Sequence, residues 1–322
     1  MAAITITELT KRFGNLAAVD GLSLEIREGE IFGLLGPNGA GKTTTLLMLT
    51  TLIPPTSGSA AVNGYDIVRE PDRVRSSIGI VFQDPSSDET LTGYENLKLH
   101  GLLYDMPYDL RESRITEVLA LVELSGRKDD VVKKYSGGMR RRLELARGLM
   151  HHPKILFLDE PTLGLDPQTR EHIWEYIKKL ATEKNITIIL TTHYMDEADR
   201  LCDRLAIVDR GRIAALGPPR ELKRELGGDI IHIRAKGSDT ASLRALPFVK
   251  DVREDESGLS ITVQDAGRHL QELLAKTGPV ESVEVRPVTL EDVFLHYTGR
   301  AIREGPPEGS WAEKAMQAGT RR

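Results

Sequence analysis

Over residues 1–30 apolar and polar side chains alternate: Ile4 and Ile6 with Thr5 and Thr7, then Leu22, Leu24 and Ile26 with Ser23, Glu25 and Arg27. A period of two places one set of side chains on one face, so the stretch reads as antiparallel strands. From Ile31 the pattern changes to short apolar runs at 31–35, 78–82, 155–158, 186–190 and 205–208, mostly without alternation. Such runs suit strands covered on both faces. Helical spacing separates several of them, at 42–52 and at 170–181, where Ile173, Ile177 and Leu180 share a face. Strands alternating with helices predict a parallel α/β sheet. Residues 92–150 break the rhythm. Thr92-Gly-Tyr-Glu95 is a capping box that opens a helix. Helical spacing continues through Ile115, Leu119 and Val122, then through Leu143, Ala146 and Met150. The prediction is a helical insertion in the α/β core, over about 88–150.

A boundary is expected near Gly217-Pro218-Pro219. After it, 230–235, 248–253, 259–263 and 280–285 read as strands and 268–275 as a helix. A closing helix at 290–297 has Leu290, Val293, Phe294 and Tyr297 on one face. The domain plan is therefore a core at 1–220, a small α+β domain at 221–298 and a mobile tail at 299–322, where apolar side chains are few.

Composition narrows the class. A chain of 322 residues has room for two domains. Its net charge of −5 offers no general basic field, so no nucleic-acid partner is expected. No apolar run approaches the roughly 20 residues of a membrane-spanning helix. The N-terminus lacks the charged and apolar regions of a signal peptide. The single Cys202 excludes an internal disulfide framework and a Cys-rich metal site, and reads as a half-buried helix cysteine. The expected setting is soluble and cytoplasmic.

Candidate chemistry begins at Gly36-Pro37-Asn38-Gly39-Ala40-Gly41-Lys42-Thr43, a complete P-loop pattern with a strand before it and a helix from Thr44 onward. Glycines let backbone N–H groups close around phosphate oxygens, and the helix start adds its positive end. Lys42 is placed to neutralise the β- and γ-phosphates, and Thr43 offers a hydroxyl to Mg2+. A second element, Lys154-Ile-Leu-Phe-Leu-Asp159-Glu160, delivers two carboxylates to the end of an apolar strand. Asp159 suits the metal shell, and Glu160 suits polarising the attacking water. In a third, Tyr135-Ser136-Gly137-Gly138-Met139, Ser136 is a natural helix cap at another anion-binding helix start. One γ-phosphate gripped by two helix starts points to a site shared between two chains. Arg140–Arg142 reads as a solvated helix face, with a partner-facing patch as the alternative.

Together with Gln83, Asp166 and His193, these motifs resemble the nucleotide-binding subunit of an ABC (ATP-binding cassette) transporter, over about residues 1–220. The resemblance implies a P-loop NTPase core with an antiparallel β subdomain and a helical subdomain, binding ATP and Mg2+. It implies that Phe13 stacks on adenine, where tyrosine is more usual. Gln83 would touch the metal site and the membrane partner, and Asp166 would lie in the loop at the dimer interface. Ser136, Gly137 and Gly138 would be the signature that completes the opposite subunit's site, and His193 would meet the γ-phosphate. Met139 stands where the family's signature usually ends in glutamine. That variant, the three arginines and Val288-Thr-Leu-Glu-Asp-Val-Phe294 resemble the daunorubicin-resistance type of ABC-2 export ATPase.

The expected protein is thus an ATPase at the cytoplasmic face of the membrane, a homodimer that powers a separate ABC-2 type permease. The C-terminal domain shows no catalytic constellation and is expected to mediate association. The alternative is a soluble regulatory or repair ATPase of the same cassette type. Too few residues separate Gln83 from Ser136 for a repair protein's coiled coil. A single cassette disfavours a translation factor, and intact Glu160 and His193 disfavour a scaffold without turnover. The GTPase motif Asn-Lys-x-Asp is absent.

Overall fold

The structure, a computed structural model, describes residues 2–235, 240–255, 258–277 and 279–299. The proposed tail therefore lies, apart from Gly299, outside the described residues. The chain divides into two compact units between Ala214 and Ala215, a few residues before the Gly217-Pro218-Pro219 step.

The first unit opens with β1 (Ala2–Phe13) and β2 (Leu16–Arg27), the long antiparallel pair that the alternation predicted. Then follow β3 (Ile31–Leu35), α1 (Lys42–Leu49), β4 (Ser57–Val62), β5 (Tyr65–Asp66), α2 (Pro71–Ser77) and β6 (Ile78–Val81). Helix α1 stops three residues short of the expected end, because Thr51 takes a positive φ of 65°. The helical insertion contains α3 (Gly93–Leu103), α4 (Tyr108–Leu121) and α5 (Gly137–Gly148). Both halves of the capping box at Thr92 and Glu95 are formed. The core resumes with β7 (Ile155–Asp159), α6 (Pro167–Lys184), β8 (Thr187–Thr192), α7 (Met195–Leu201), β9 (Arg204–Asp209) and β10 (Arg212–Gly217).

One sheet has the order β2-β1-β4-β5, and a second has the order β10-β9-β3-β8-β7-β6. In the second, β9, β3, β8, β7 and β6 run parallel, and β3, β7 and β8 are buried along their whole length. That explains their missing alternation: both faces meet apolar neighbours. Strand β4 escaped sequence reading because Ser57-Gly-Ser-Ala-Ala-Val has little apolar signal. It forms because β1 offers it a partner from Ile4 to Thr10. Cys202 is buried rather than half-buried, and Gly33 must be small there: a Cβ would stand 2.6 Å from its sulfur.

The second unit contains α8 (Pro219–Leu226), β11 (Asp229–Ala235), α9 (Thr240–Arg244), β12 (Val249–Asp255), β13 (Gly258–Val263), α10 (Ala266–Leu274), β14 (Val280–Pro287) and α11 (Leu290–Thr298). Its antiparallel sheet has the order β12-β13-β11-β14. Ile231, Ile233, Leu259, Ile261 and Leu273 form its core. The closing helix α11 is capped by Thr289 and packs on α8, with Tyr297 donating to Glu225 at 3.1 Å. Helix α8 was not foreseen, because its two prolines read as a break. Pro219 instead occupies a first-turn position, where its missing N–H has no helical partner to lose.

Candidate functional site

The order of the parallel strands decides what meets. Strands β3, β8, β7 and β6 are successive neighbours. At their carboxyl ends follow, in turn, the P-loop, His193, Glu160 and Gln83. Leu35 pairs with Thr192, and Asp159 pairs with Thr191, so the strands end nearly level. Open α/β sheets bind ligands at this edge.

The P-loop runs from Gly36 into α1, and the Gly36 N–H is held by the Thr192 carbonyl at 3.2 Å. A Cβ on Gly36 would meet the Val208 carbonyl at 2.2 Å, and one on Gly41 would meet the Ala18 carbonyl at 2.3 Å. Both glycines are thus required by close backbone approach. The Ala18 contact also brings β2 of the β1–β2 hairpin against the loop. Phe13, at the tip of that hairpin, is half-buried and has the Lys11 ammonium 5.3 Å from its ring centroid. Helix α1 has no side-chain cap, and Gly41 at its start has φ 104°. Its first turn therefore suits an anionic ligand.

Lys42 is only 2% exposed. Its ammonium donates to the carbonyls of Gly36 at 2.8 Å and Pro37 at 3.0 Å and lies 3.8 Å from Glu160 Oε1. His193 Nδ1 is 3.1 Å from the same Glu160 oxygen. Lys42, Glu160 and His193 are thus one cluster, drawn from three strand ends. Thr43 Oγ1 donates to Asp159 Oδ1 at 3.1 Å, and Thr191 Oγ1 donates to the same oxygen at 2.5 Å. Burial pushes the Asp159 carboxyl above its usual range, opposed by the Thr191 and Thr43 hydroxyls. Hydroxyl and carboxylate oxygens side by side are the hard donors that suit Mg2+. Gln83, half-buried, follows the end of β6 at the same edge of the sheet.

Glu160 has φ 45°, a conformation that costs a non-glycine residue about 1–3 kcal/mol. Its N–H is held by the Thr191 carbonyl at 3.2 Å and hydroxyl at 3.0 Å. Thr191 thus serves the Asp159 carboxylate and the Glu160 backbone, a role that a threonine inside an apolar strand did not advertise.

Ser136 caps α5, its hydroxyl accepting from the Met139 N–H at 3.3 Å. Ser136 and Gly137 are exposed. The Cβ position of Gly137 has only Leu165 within 4 Å, at 3.7 Å, and no P-loop atom. The motif Ser136–Gly138 therefore lies beside the segment of Leu165 and Asp166. Asp166 caps α6, accepting from Thr169 Oγ1 at 2.6 Å and from the Thr169 N–H at 3.0 Å. Those bonds hold its carboxyl below the usual range.

The solvated face expected at Arg140–Arg142 is corrected. Arg140 pairs with Glu89, and Arg142 donates to the Val122 carbonyl at 3.2 Å. Arg141 is buried, because α5 packs against other elements around most of its circumference. A run of three arginines gives no sign of which one turns inward.

Comparison with known proteins now decides the family. Residues 19–163 match the model of the ABC transporter family, and residues 217–298 match that of the DrrA1-3-like ATP-binding protein C-terminal domain. The linearmycin resistance ATP-binding protein LnrL of Bacillus subtilis is 40% identical over 306 residues, covering 92% of this chain and 98% of that protein. The chain belongs to the ABC transporter ATPases. The daunorubicin resistance ATP-binding protein DrrA3 of Streptomyces coeruleorubidus is 42% identical over 94% of this chain and 98% of its own. Among solved structures, the ABC transporter component cbiO1 of Clostridium perfringens has a TM-score of 0.65 at 30% identity, covering 70% of this chain and 91% of its own. A dimeric ATP-binding cassette in a post-hydrolysis state with ADP and phosphate has a TM-score of 0.60 at 29% identity, covering 67% of this chain and 98% of its own. The fold is the ABC ATPase fold, and as a member of this family the protein binds and hydrolyses ATP. The resemblance to drug-resistance export ATPases holds over both units.

Proposed function

We propose that the protein is the ATP-hydrolysing subunit of an ABC-2 type exporter, working as a homodimer around two ATP molecules, each with Mg2+. The observation that carries this is the division of the site. Lys42, Glu160 and His193 cluster within one chain, whereas the start of α5 at Ser136 is exposed away from them. A second copy would bring its Ser136, Gly137 and Gly138 to the γ-phosphate, with Asp166 at the interface.

In this reading Phe13 stacks on the adenine, and the P-loop amides from Gly36 to Thr44 cradle the phosphates. Lys42 exchanges its carbonyl contacts for the β- and γ-phosphates. Thr43, Asp159 and Gln83 would hold Mg2+, which would supply positive charge to offset that of the phosphates. Glu160 polarises the attacking water, and His193 orients toward the γ-phosphate. Each bond of a charged group to the γ-phosphate contributes about 1.5–3 kcal/mol. Several together reach the roughly 5 kcal/mol needed to move a dimer from mostly open to mostly closed. Hydrolysis removes that bridge.

No helix among the described residues is long and apolar enough to cross a membrane; in this reading a separate permease carries the cargo. The exposed apolar residues of α3 and α4 support a docking surface for it at the cytoplasmic face: Leu99, Leu102, Leu103 (73% exposed), Tyr108 (66%) and Leu110. The relatives are named for resistance to linearmycin and daunorubicin and for export of Nod factor, so cargo varies within the family. An export role for this chain follows from those names. The C-terminal unit is assigned to association, between copies or with the permease. Co-purification with a co-expressed ABC-2 type permease tests the docking surface. Leu103→Glu with Tyr108→Glu should abolish capture and leave the ATPase of the free subunit within twofold. Undiminished capture would exclude that surface.

A further inference from the structure

Within its first two turns α5 carries an arginine on an inward face. Arg141 is 8% exposed. Its guanidinium donates three hydrogen bonds, all to backbone carbonyls: Nη1 to Phe82 at 2.6 Å, Nη2 to Asp159 at 3.0 Å and Nε to Pro161 at 2.6 Å. Phe82 immediately precedes Gln83, and Asp159 and Pro161 bracket Glu160. One turn further along α5, Glu144 accepts from the N–H groups of Ser86 at 3.1 Å and Ser87 at 2.8 Å. The helix that Ser136 caps therefore grips the Gln83 loop through Arg141 and Glu144 and the Glu160 loop through Arg141.

The planar fork of arginine fixes its N–H directions, so three carbonyls from two strand ends are held in one geometry. Burial lowers its pKa to about 10, so the charge persists at neutral pH. Among the described residues it has no carboxylate within ion-pair distance; its hydrogen-bond acceptors are the three carbonyls. Glu160 needs such support. A non-glycine residue at φ 45° stays there only when its surroundings hold it from both sides. Thr191 holds its N–H, and Arg141 holds the carbonyls before and after it.

We propose that Arg141 is a positioning residue for ATP hydrolysis. It locks the Glu160 peptide and the Gln83 loop in register with the start of α5, so a shift of that helix is felt at both. The inference rests on the role given to Glu160 above.

Full-length Arg141→Gln and Arg141→Lys are compared with wild type in ATP turnover, affinity for a non-hydrolysable ATP analogue and thermal melting. Turnover should fall roughly 10²-fold in Arg141→Gln, the loss a displacement of about 1 Å can cause, and at least ~10-fold in Arg141→Lys. Analogue affinity should stay within about threefold. In a Glu160→Gln background, adding Arg141→Gln should cost much less than in wild type, since no carboxylate remains to be positioned and only the Gln83 loop is released. Turnover within about threefold of wild type overturns the proposal, read from Arg141→Lys if Arg141→Gln does not fold. So does a second full loss in the Glu160→Gln background, or a drop in analogue affinity equal to the drop in turnover. Glu160→Gln retaining normal turnover by itself would remove the role of Glu160, a failure distinct from these.

Discussion

The two units treat charge in opposite ways. In the first, Lys42, Arg141, Glu144, Asp159 and Glu197 are all buried. Each has specific partners; Glu197, for example, accepts from Thr162 Oγ1 at 2.7 Å and Trp174 Nε1 at 3.0 Å. In the second, no charged side chain among the described residues is buried, and Thr262 is the only buried polar residue. Its best-formed ion pair, Arg286 with Asp292 at 2.7 and 2.8 Å, is half-buried and ties α11 to the end of β14. Burying a charge costs several kcal/mol before its partners repay it. A unit that only packs gains nothing from that expense. A unit that must hold phosphate, metal and water in one geometry does.

The contrast breaks most readily at Glu160. Glu160→Gln should slow ATP turnover at least ~10²-fold while preserving ATP binding, because water loses its base. Lys42→Ala should instead weaken binding of a fluorescent ATP analogue at least ~10-fold, the worth of a charge-assisted contact. A Glu160→Gln protein that turns over normally would place the chemistry elsewhere. Next in size is the effect on pairing. Glu160→Gln protein should sediment as a dimer with ATP and Mg2+ and as a monomer with ADP. Adding Gly137→Asp should abolish the dimer while each chain still binds ATP. The space at Gly137 accepts a side chain, so the effect reads charge at the γ-phosphate rather than misfolding. A dimer persisting in the double variant would refute the shared site.

Smaller effects test the independence of the units. Leu273 is fully buried in the C-terminal core. Leu273→Ala should destabilise that unit by about 2–5 kcal/mol and split the thermal melt, with ATP turnover of the free subunit within twofold. A parallel loss of turnover would show that the cassette depends on its neighbour. The smallest effect is expected in the helical insertion, where burial, with lesser effects from Arg147 and His151, lowers the His100 imidazole to about 4. Between the unfolded value near 6.5 and about 4, the unfolded chain binds more protons, so stability falls as pH drops through that window. His100→Phe should flatten the fall by roughly 1–2 kcal/mol at pH 5, measured by urea unfolding at pH 5 and 7. An unchanged slope would remove His100 as its source.

Local chemistry was legible where one short segment supplies its own reason. The P-loop, the Thr92 capping box and the Ser136 cap are complete within a few residues. The apolar runs of β3, β7 and β8 announce burial on both faces. Arg141 was not legible, since its partners Phe82, Asp159 and Pro161 are remote in sequence. Nor were β4 and α8, one with weak apolar signal and one opened by prolines that also mark breaks.

By itself the sequence determined the hairpin and the parallel strands, the phosphate loop, the acidic strand end and the family. Only the tertiary structure decided that β3, β8, β7 and β6 lie side by side, and hence that Lys42, His193, Glu160 and Gln83 share one edge. The reason is that buried strands of Ile, Leu, Val and Phe are nearly interchangeable as pairing partners. Their order is set by helix packing across the whole sheet, which no local pattern records. The same holds for Arg141: which of three consecutive arginines is buried depends on what α5 packs against, not on the arginines themselves.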